Sequence, residues 1–375
     1  MDGGSMDGRT GATAPDAGGD AGRRGGRGPR RINLALQGGG AHGAFTWGVL
    51  DRLLQEPDLE IAGISGASAG ALNGAALKAG LATGGPDGGR AAARETLDNL
   101  WRQVGAMGDV ELARWLGAVM PGLGGLTTWA EQFMPITPAE LAGRLFSPYA
   151  LGPAYRNPLE RVVRGLSFAQ VCAGAGPAFF VSATNVRTGK IRVFSGDDVT
   201  PEALLASACL PSVFQAVEID DPATGRREAY WDGGYTGNPA LFPLFAPELP
   251  PDIVIVNINP LRRDEVPTTP QDIQSRVNEI SFNASLLREL RGIAFVQELI
   301  AEGRIPRGAV KPLHIHMIAD DETMTRLSVR TKTAPTPLLL HQLREAGREA
   351  AGRFLETRAT ALGSHSTVDL RATCD

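Results

Sequence analysis

The chain reads as an α/β domain with a central, mostly parallel sheet and helices on its faces. Three observations predict this. First, an apolar run leads into a glycine-rich loop and then a helical pattern, residues 32–54. Second, a short apolar run leads into another glycine turn and another helix, residues 61–77. Strand, loop, helix, strand, turn, helix in that order makes the strands parallel and puts helices on the faces. Third, Ile253-Val254-Ile255-Val256-Asn257-Ile258 is apolar almost throughout, as a strand inside a parallel sheet is.

The elements follow in order. Residues 32–36 form the first strand, and Phe45, Val49, Leu50, Leu53 and Leu54 then recur at helical spacing. Residues 61–64 form the second strand and 71–77 a helix. Residues 79–89 read as a Gly/Pro linker. Residues 94–135 carry Trp101, Trp115 and Trp129 among short helical patterns and glycine breaks. Each tryptophan singly suits packing on the sheet, and the segment as a whole is the candidate lid. Residues 179–184 are a buried strand with a hairpin partner at 190–194, and 201–209 a short helix. Residues 213–219 and 228–231 flank a turn at 221–225. A long helix around 280–301, a strand at 313–318 and a helix near 338–362 complete the chain.

Composition excludes several classes. The 375 residues are 43% hydrophobic, enough for one large domain or two small ones. A net charge of -4 offers no footprint for nucleic acid. Cys172, Cys209 and Cys374 are scattered without C-x-x-C spacing, which suits a reducing compartment and speaks against a disulfide framework or a zinc site. Plain burial is expected of Cys172 and Cys209. Residues 1–30 are rich in Gly, Asp and Arg and are expected to form a disordered tail, with Arg23, Arg24, Arg27, Arg30 and Arg31 as a solvated basic cluster. No apolar signal region and no long apolar run is present, so a cytoplasmic location is expected.

The chemistry sits in three places. Gly66-Ala67-Ser68-Ala69-Gly70 reads G-x-S-x-G between a strand and a helix, the setting of a nucleophile elbow. Gly66 and Gly70 leave room for the sharp turn, and the turn presents Ser68 beside the positive end of the helix. Ser65 is expected to end the strand. Gly38-Gly39-Gly40-Ala41-His42-Gly43 is a loop that can aim backbone N–H groups at an anion. It also matches the G-x-G-x-x-G dinucleotide pattern, but Asp58 and Glu60 stand at the wrong end of the second strand to hold a ribose. Trp231-Asp232-Gly233-Gly234 places an aspartate at a strand end, where an ordinary Asp-Gly turn is the simplest reading.

Taken together, residues 38–43, 66–70 and 232–234 resemble the three signatures of the patatin-like phospholipase family. The stretch 206–214 resembles that family's Ala/Ser-rich helix and Pro turn. The resemblance spans 32–247, with 1–30 as tail and 248–375 as an α/β extension that completes the fold. It implies a patatin-like three-layer fold and lipid acyl hydrolysis by a Ser–Asp dyad, with Ser68 as nucleophile and Asp232 as proton acceptor. Gly38, Gly39, Gly40 and Ala41 would supply the oxyanion hole, and Gly43, Gly66, Gly70, Gly233 and Gly234 complete the motifs. It implies no metal and no cofactor, a lipid or acyl-ester substrate, peripheral contact with a membrane and no nucleic acid. Many members carry Arg or Lys where this chain has His42, and local hydrogen bonding is the simpler expectation for it.

Three rivals remain at this stage. An α/β-hydrolase triad would recruit His314, His316, His341 or His365, all after Asp232. A nucleotide-dependent oxidoreductase would use residues 38–43. A non-catalytic regulator could share the fold, and an acyltransferase is a nearer variant.

Overall fold

The computed structural model describes residues 29–119, 147–306, 308–327, 331–332 and 335–374. Most of the expected N-terminal tail, with Arg23, Arg24 and Arg27, lies outside them. So do residues 120–135 of the candidate lid, with Trp129.

Among the described residues eight strands form one sheet: β1 (Arg30–Leu36), β2 (Leu59–Gly66), β3 (Ala178–Asn185), β4 (Ile191–Ser195), β5 (Val217–Asp221), β6 (Arg226–Asp232), β7 (Asp252–Asn257) and β8 (His314–Ala319). The order is β5-β6-β3-β2-β1-β7-β8, with β4 pairing β3. β8, β7, β1, β2 and β3 are mutually parallel, while β4, β5 and β6 are antiparallel additions. The parallel part is apolar on both sides because helices cover both faces. Leu34 and Leu36 face one core with Ile64, Val254 and Val256, whereas Ala35 faces the other with Ile253 and Ile255.

The first core is covered by α1 (Gly43–Leu53), α2 (Ala69–Thr83), α3 (Gly85–Val119) and, late in the chain, α6 (Pro337–Thr357). The short α4 (Pro201–Ser207) packs here too. The second core lies under α5 (Pro270–Ala301), through Leu286, Leu290 and Ile293. The result is a sheet between two helical layers, with β7, β8, α5 and α6 of the C-terminal third built into it.

Three expectations are corrected. Residues 79–89 are not a linker: α2 runs to Thr83 and α3 starts at Gly85, whose φ of +62° turns the chain. Gly80 serves close helix packing, since a Cβ there would lie 2.2 Å from Ala93 Cα. At that position packing outweighs the roughly 1 kcal/mol helix penalty of glycine. Residues 94–119 are likewise one continuous helix rather than short pieces. Trp101 is buried in the core, stacked on Trp47 at 6.5 Å and donating to Asn73 Oδ1 at 2.9 Å. α5 also begins ten residues earlier than its apolar pattern, capped by Thr269 with Pro270 at its first position.

α1 and α6 touch backbone to backbone at Gly48 and Gly347. Their contact is fastened by Asp51, buried and paired with Arg94 at 2.6 Å, Arg344 at 3.2 Å and Arg348. Among the described residues no helix is long and apolar enough to cross a membrane.

Candidate active site

The site forms where β2 stops. β3 pairs with β2 only as far as Val181 opposite Gly66. Beyond that point the same edge of β3 is taken by β6, with Ala183 opposite Asp232. The opposite edge is occupied by β4, which pairs with both stretches. β6 therefore continues the row that β2 vacates, running toward it, and its last residue arrives where β2 turns outward. That turn is the elbow. Ser68 has φ +53° and ψ -126°, the one positive φ outside glycine among the described residues. Such a conformation costs about 1–3 kcal/mol and persists because its surroundings hold it.

The surroundings are glycine-built. A Cβ on Gly70 would lie 2.1 Å from Leu36 O, and one on Gly66 would lie 2.7 Å from Ala71 N. The Ser68 N–H donates to Ser207 Oγ at 2.9 Å, at the end of α4. The Ser68 side chain does not cap α2, so its hydroxyl is left for chemistry. Ser65 is inside β2 and donates to Ala240 O at 2.5 Å, a structural role.

Asp232 is almost wholly buried, and its main chain is pinned at both ends. Its N–H donates to Cys209 O at 2.8 Å and its carbonyl accepts from Thr184 Oγ1 at 2.8 Å. Gly233 lets the chain fold onto β3, since a Cβ there would lie 2.1 Å from Ser182 O. Asp232 Oδ1 accepts the Gly234 N–H at 2.7 Å, while Oδ2 has no well-formed hydrogen bond. Burial pushes the Asp232 carboxyl up to about 7, partly offset by the Gly234 amide and by the Ser68 hydroxyl nearby. Ser68 thus lies within interaction range of the carboxylate, short of a formed hydrogen bond. A carboxylate near 7 can take a proton at neutral pH and give it back.

The glycine-rich loop closes the third side. A Cβ on Gly38 would lie 2.6 Å from Ser68 Cβ. Gly38 N–H is already engaged, donating to Asn238 Oδ1 at 2.6 Å. Gly39, Gly40 and Ala41 precede and enter a single 3-10 turn (Gly40–His42), and among the described residues no acceptor takes their N–H groups. Gly43 lets α1 approach α2, where a Cβ would meet Ala69 Cβ at 2.6 Å.

A buried carboxamide cluster holds the loop. Gln37 Oε1 accepts from the backbone of Ile258 and Asn259, and Gln37 Nε2 donates to Asn283 Oδ1 at 3.1 Å. Asn259 Nδ2 donates to Gly38 O at 2.9 Å. Sequence reading missed Gln37, Ser207, Asn238, Asn259 and Asn283. Polar residues directly after the apolar strands β1 and β7 were the available signal for Gln37 and Asn259. Ser207 stood in the stretch compared with the family.

The histidines lie elsewhere or stay neutral. His314 and His316 face Asp252 at 3.5 and 3.0 Å, at the start of β7 and β8. Ser68 follows the far ends of the parallel strands. His341 and His365 are exposed. His42 is buried, its Nε2 2.7 Å from Thr331 Oγ1, and burial together with Lys332 pushes it down to about 3. Asp58 and Glu60 lie at the start of β2, so no acid stands where a ribose would be held. Cys172 and Cys209 are unpaired thiols; burial and the nearby Asp232 push Cys209 up to about 12.

The family model described as patatin-like phospholipase matches residues 34–245. No curated protein sequence matches. Among solved structures, VipD from Legionella pneumophila is 14% identical over 88% of this chain and 67% of its own, with a TM-score of 0.35. The type III effector ExoU is 15% identical over 88% of this chain and 53% of its own, with a TM-score of 0.31. ExoU in complex with SpcU, from Pseudomonas aeruginosa, gives 16% identity, 88% and 54% coverage and a TM-score of 0.27. The chain spans little more than half of ExoU.

Proposed function

The chain belongs to the patatin-like phospholipase family, and from that premise we propose that it hydrolyses lipid acyl esters through a Ser68–Asp232 dyad. The observation that carries this reading is the placement of Asp232 at the end of β6, in the row that β2 leaves at Ser68. In the proposed reaction Ser68 Oγ attacks the ester carbonyl carbon while its proton passes to Asp232. The carbonyl oxygen becomes an oxyanion that accepts from the N–H groups of Gly39 and Gly40, with Ala41 beside them. Gly38, which the motif also suggested, instead anchors the loop through Asn238. Donors fixed in advance contribute about 3–4 kcal/mol each at most. Asp232 returns the proton to the departing alcohol oxygen, the C–O bond breaks, and an acyl-enzyme remains. Water, losing a proton to Asp232, then attacks the acyl carbon; the bond to Ser68 Oγ breaks, Asp232 returns the proton to that oxygen, and the fatty acid leaves.

Contact with a lipid surface is part of the proposal. Ile273, Val277 and Ile280 are exposed on the outer side of the N-terminal half of α5. The inner side of that half carries Glu279, paired with Arg263, and Asn283, which accepts from Gln37 beside the glycine loop. An apolar stripe of this kind on a charged helix suits an interface.

The test is hydrolysis of a chromogenic medium-chain acyl ester, with fluorophosphonate labelling, by wild type, Ser68→Ala and Asp232→Asn. Turnover and labelling in wild type, both lost in Ser68→Ala, are expected. Labelling that survives Ser68→Ala would overturn the assignment.

A further inference from the structure

Two residues of the C-terminal third, Thr331 and Lys332, rest directly on the glycine-rich loop. A Cβ on Gly40 would lie 2.3 Å from Lys332 O and 3.6 Å from Lys332 Cβ. Thr331 Oγ1 meets His42 Nε2 at 2.7 Å. Lys332 Nζ donates to Asn259 Oδ1 at 2.8 Å. The Nδ2 of that same carboxamide donates to Gly38 O at 2.9 Å and to Gln37 Oε1 at 3.2 Å. The pair therefore reaches the loop at its entry through Asn259, at its middle through Gly40 and at its exit through His42. Gly40 has φ +59°, where a side chain is strained, so its shape depends on what packs against it.

We infer that Lys332 is a positioning residue for this loop, holding the Gly39 and Gly40 amides toward the carbonyl that Ser68 attacks, through the Gly40 backbone and the Asn259 carboxamide. The inference rests on the hydrolase reading above. The Lys332 ammonium rests on Asn259 Oδ1, an atom 3.7 Å from where a Cβ on Gly39 would stand, and the side chain is half-buried. Positive charge there favours an oxyanion over the neutral carbonyl from which it forms. No motif marks position 332; only the fold brings it to the loop.

The charges that face Lys332 come from three places. His42 on the loop is neutral. Glu279 on α5 favours the ammonium, and Arg263, after β7, opposes it. Burial dominates and brings the Lys332 ammonium down to about 8. The charge is present below about pH 8 and is lost above it. Turnover should therefore fall as pH rises through that value.

The experiment uses the full chain with two substitutions. Lys332→Met is expected to lower kcat about 10- to 100-fold on a neutral ester, with KM little changed and the alkaline fall absent. Lys332→Arg is expected to restore kcat to within about threefold of wild type and to push the alkaline fall beyond pH 10, because guanidinium stays charged. A wild-type kcat and pH profile in Lys332→Met, or an unchanged alkaline fall in Lys332→Arg, would overturn the inference. Hydrogen exchange of the 37–43 peptide separates this from the hydrolase reading. It should quicken at least tenfold in Lys332→Met, stay at the wild-type rate in Lys332→Arg, and leave β7 and β8 peptides unchanged. Unaltered loop exchange in Lys332→Met overturns the inference whether or not the protein hydrolyses esters. Loop exchange that quickens in a protein with no turnover supports the hold of Lys332 on the loop and overturns the hydrolase reading alone.

Discussion

Gly38 lies so close to Ser68 that a Cβ on the glycine would come within 2.6 Å of the serine's Cβ and 2.7 Å of Ala67 O. The second of these contacts is with backbone, which cannot swing aside. Gly38→Ala must therefore push the loop and the elbow apart. A displacement of about 1 Å can cost on the order of 100-fold in rate. The expected result is a kcat reduced by that order, with slowed fluorophosphonate labelling and a far-ultraviolet circular dichroism spectrum like that of wild type.

The pH dependence follows from Asp232. Its carboxyl stands at about 7, and in the proposed dyad it must be ionised to accept the Ser68 proton. kcat/KM on a neutral ester should rise as pH increases through about 7. With the Lys332 ammonium at about 8, the profile is a narrow bell. A rise centred near pH 4 would mean that Asp232 titrates like an exposed carboxylate.

The same shift makes Asp232 a burden on stability. Its pKa is raised from 3.8 to about 7 on folding. The folded chain keeps the proton while the unfolded chain loses it. Stability linked to this group is full below pH 3.8, falls as pH rises, and levels off above about 7. Asp232→Asn carries no such charge. It should be inactive, yet more stable than wild type at pH 8 by roughly 1–3 kcal/mol, with no gain at pH 3.5. Denaturant unfolding at the two pH values reads the difference.

The elbow stores strain that glycine can release. Ser68 sits at φ +53°, and alanine there keeps the same strain. Ser68→Gly should be more stable than Ser68→Ala by about 1 kcal/mol or more. Both should fail to turn over ester. Equal melting temperatures for the two variants would show that the elbow relaxes.

Membrane contact can be tested away from the chemistry. Ile273→Asp with Val277→Asp charges the exposed stripe of α5. Sedimentation with anionic phospholipid vesicles should drop severalfold, while hydrolysis of a monomeric short-chain ester stays at the wild-type rate. Vesicle binding that survives the double change would place the contact on another surface.

Two of the histidines that could have completed a triad, His314 and His316, face Asp252 instead. His316 Nε2 and Asp252 Oδ1 are 3.0 Å apart, and the same oxygen accepts the Gly363 N–H at 2.8 Å. That cluster ties the C-terminal segment to the start of β7. Spacing along β8 put the two histidines on one face, and the structure agrees. What spacing could not tell was which end of the sheet they occupied relative to Ser68.

Ser68, the glycine loop and the strands that carry them were legible in the sequence because their causes are local. Glycine at 66 and 70 permits a turn that other residues resist, and apolar runs such as 253–256 announce a buried strand from composition alone. Asp232 on its own read as an Asp-Gly turn; the serine elbow and glycine loop upstream, and then the comparison with a known family, marked it out. Its meeting with Ser68 depends on β6 filling the row that β2 leaves, a pairing between residues far apart in the chain. The helices at 79–89 were misread for the same reason: Gly80 lowers helix propensity locally and repays it only by admitting Ala93 of the next helix. The Gln37, Asn238, Asn259 and Asn283 cluster, and Lys332 upon it, belong wholly to the tertiary structure. Buried polar groups must find partners, but which partners they find is settled by the packing of the whole sheet, not by any neighbour in the sequence.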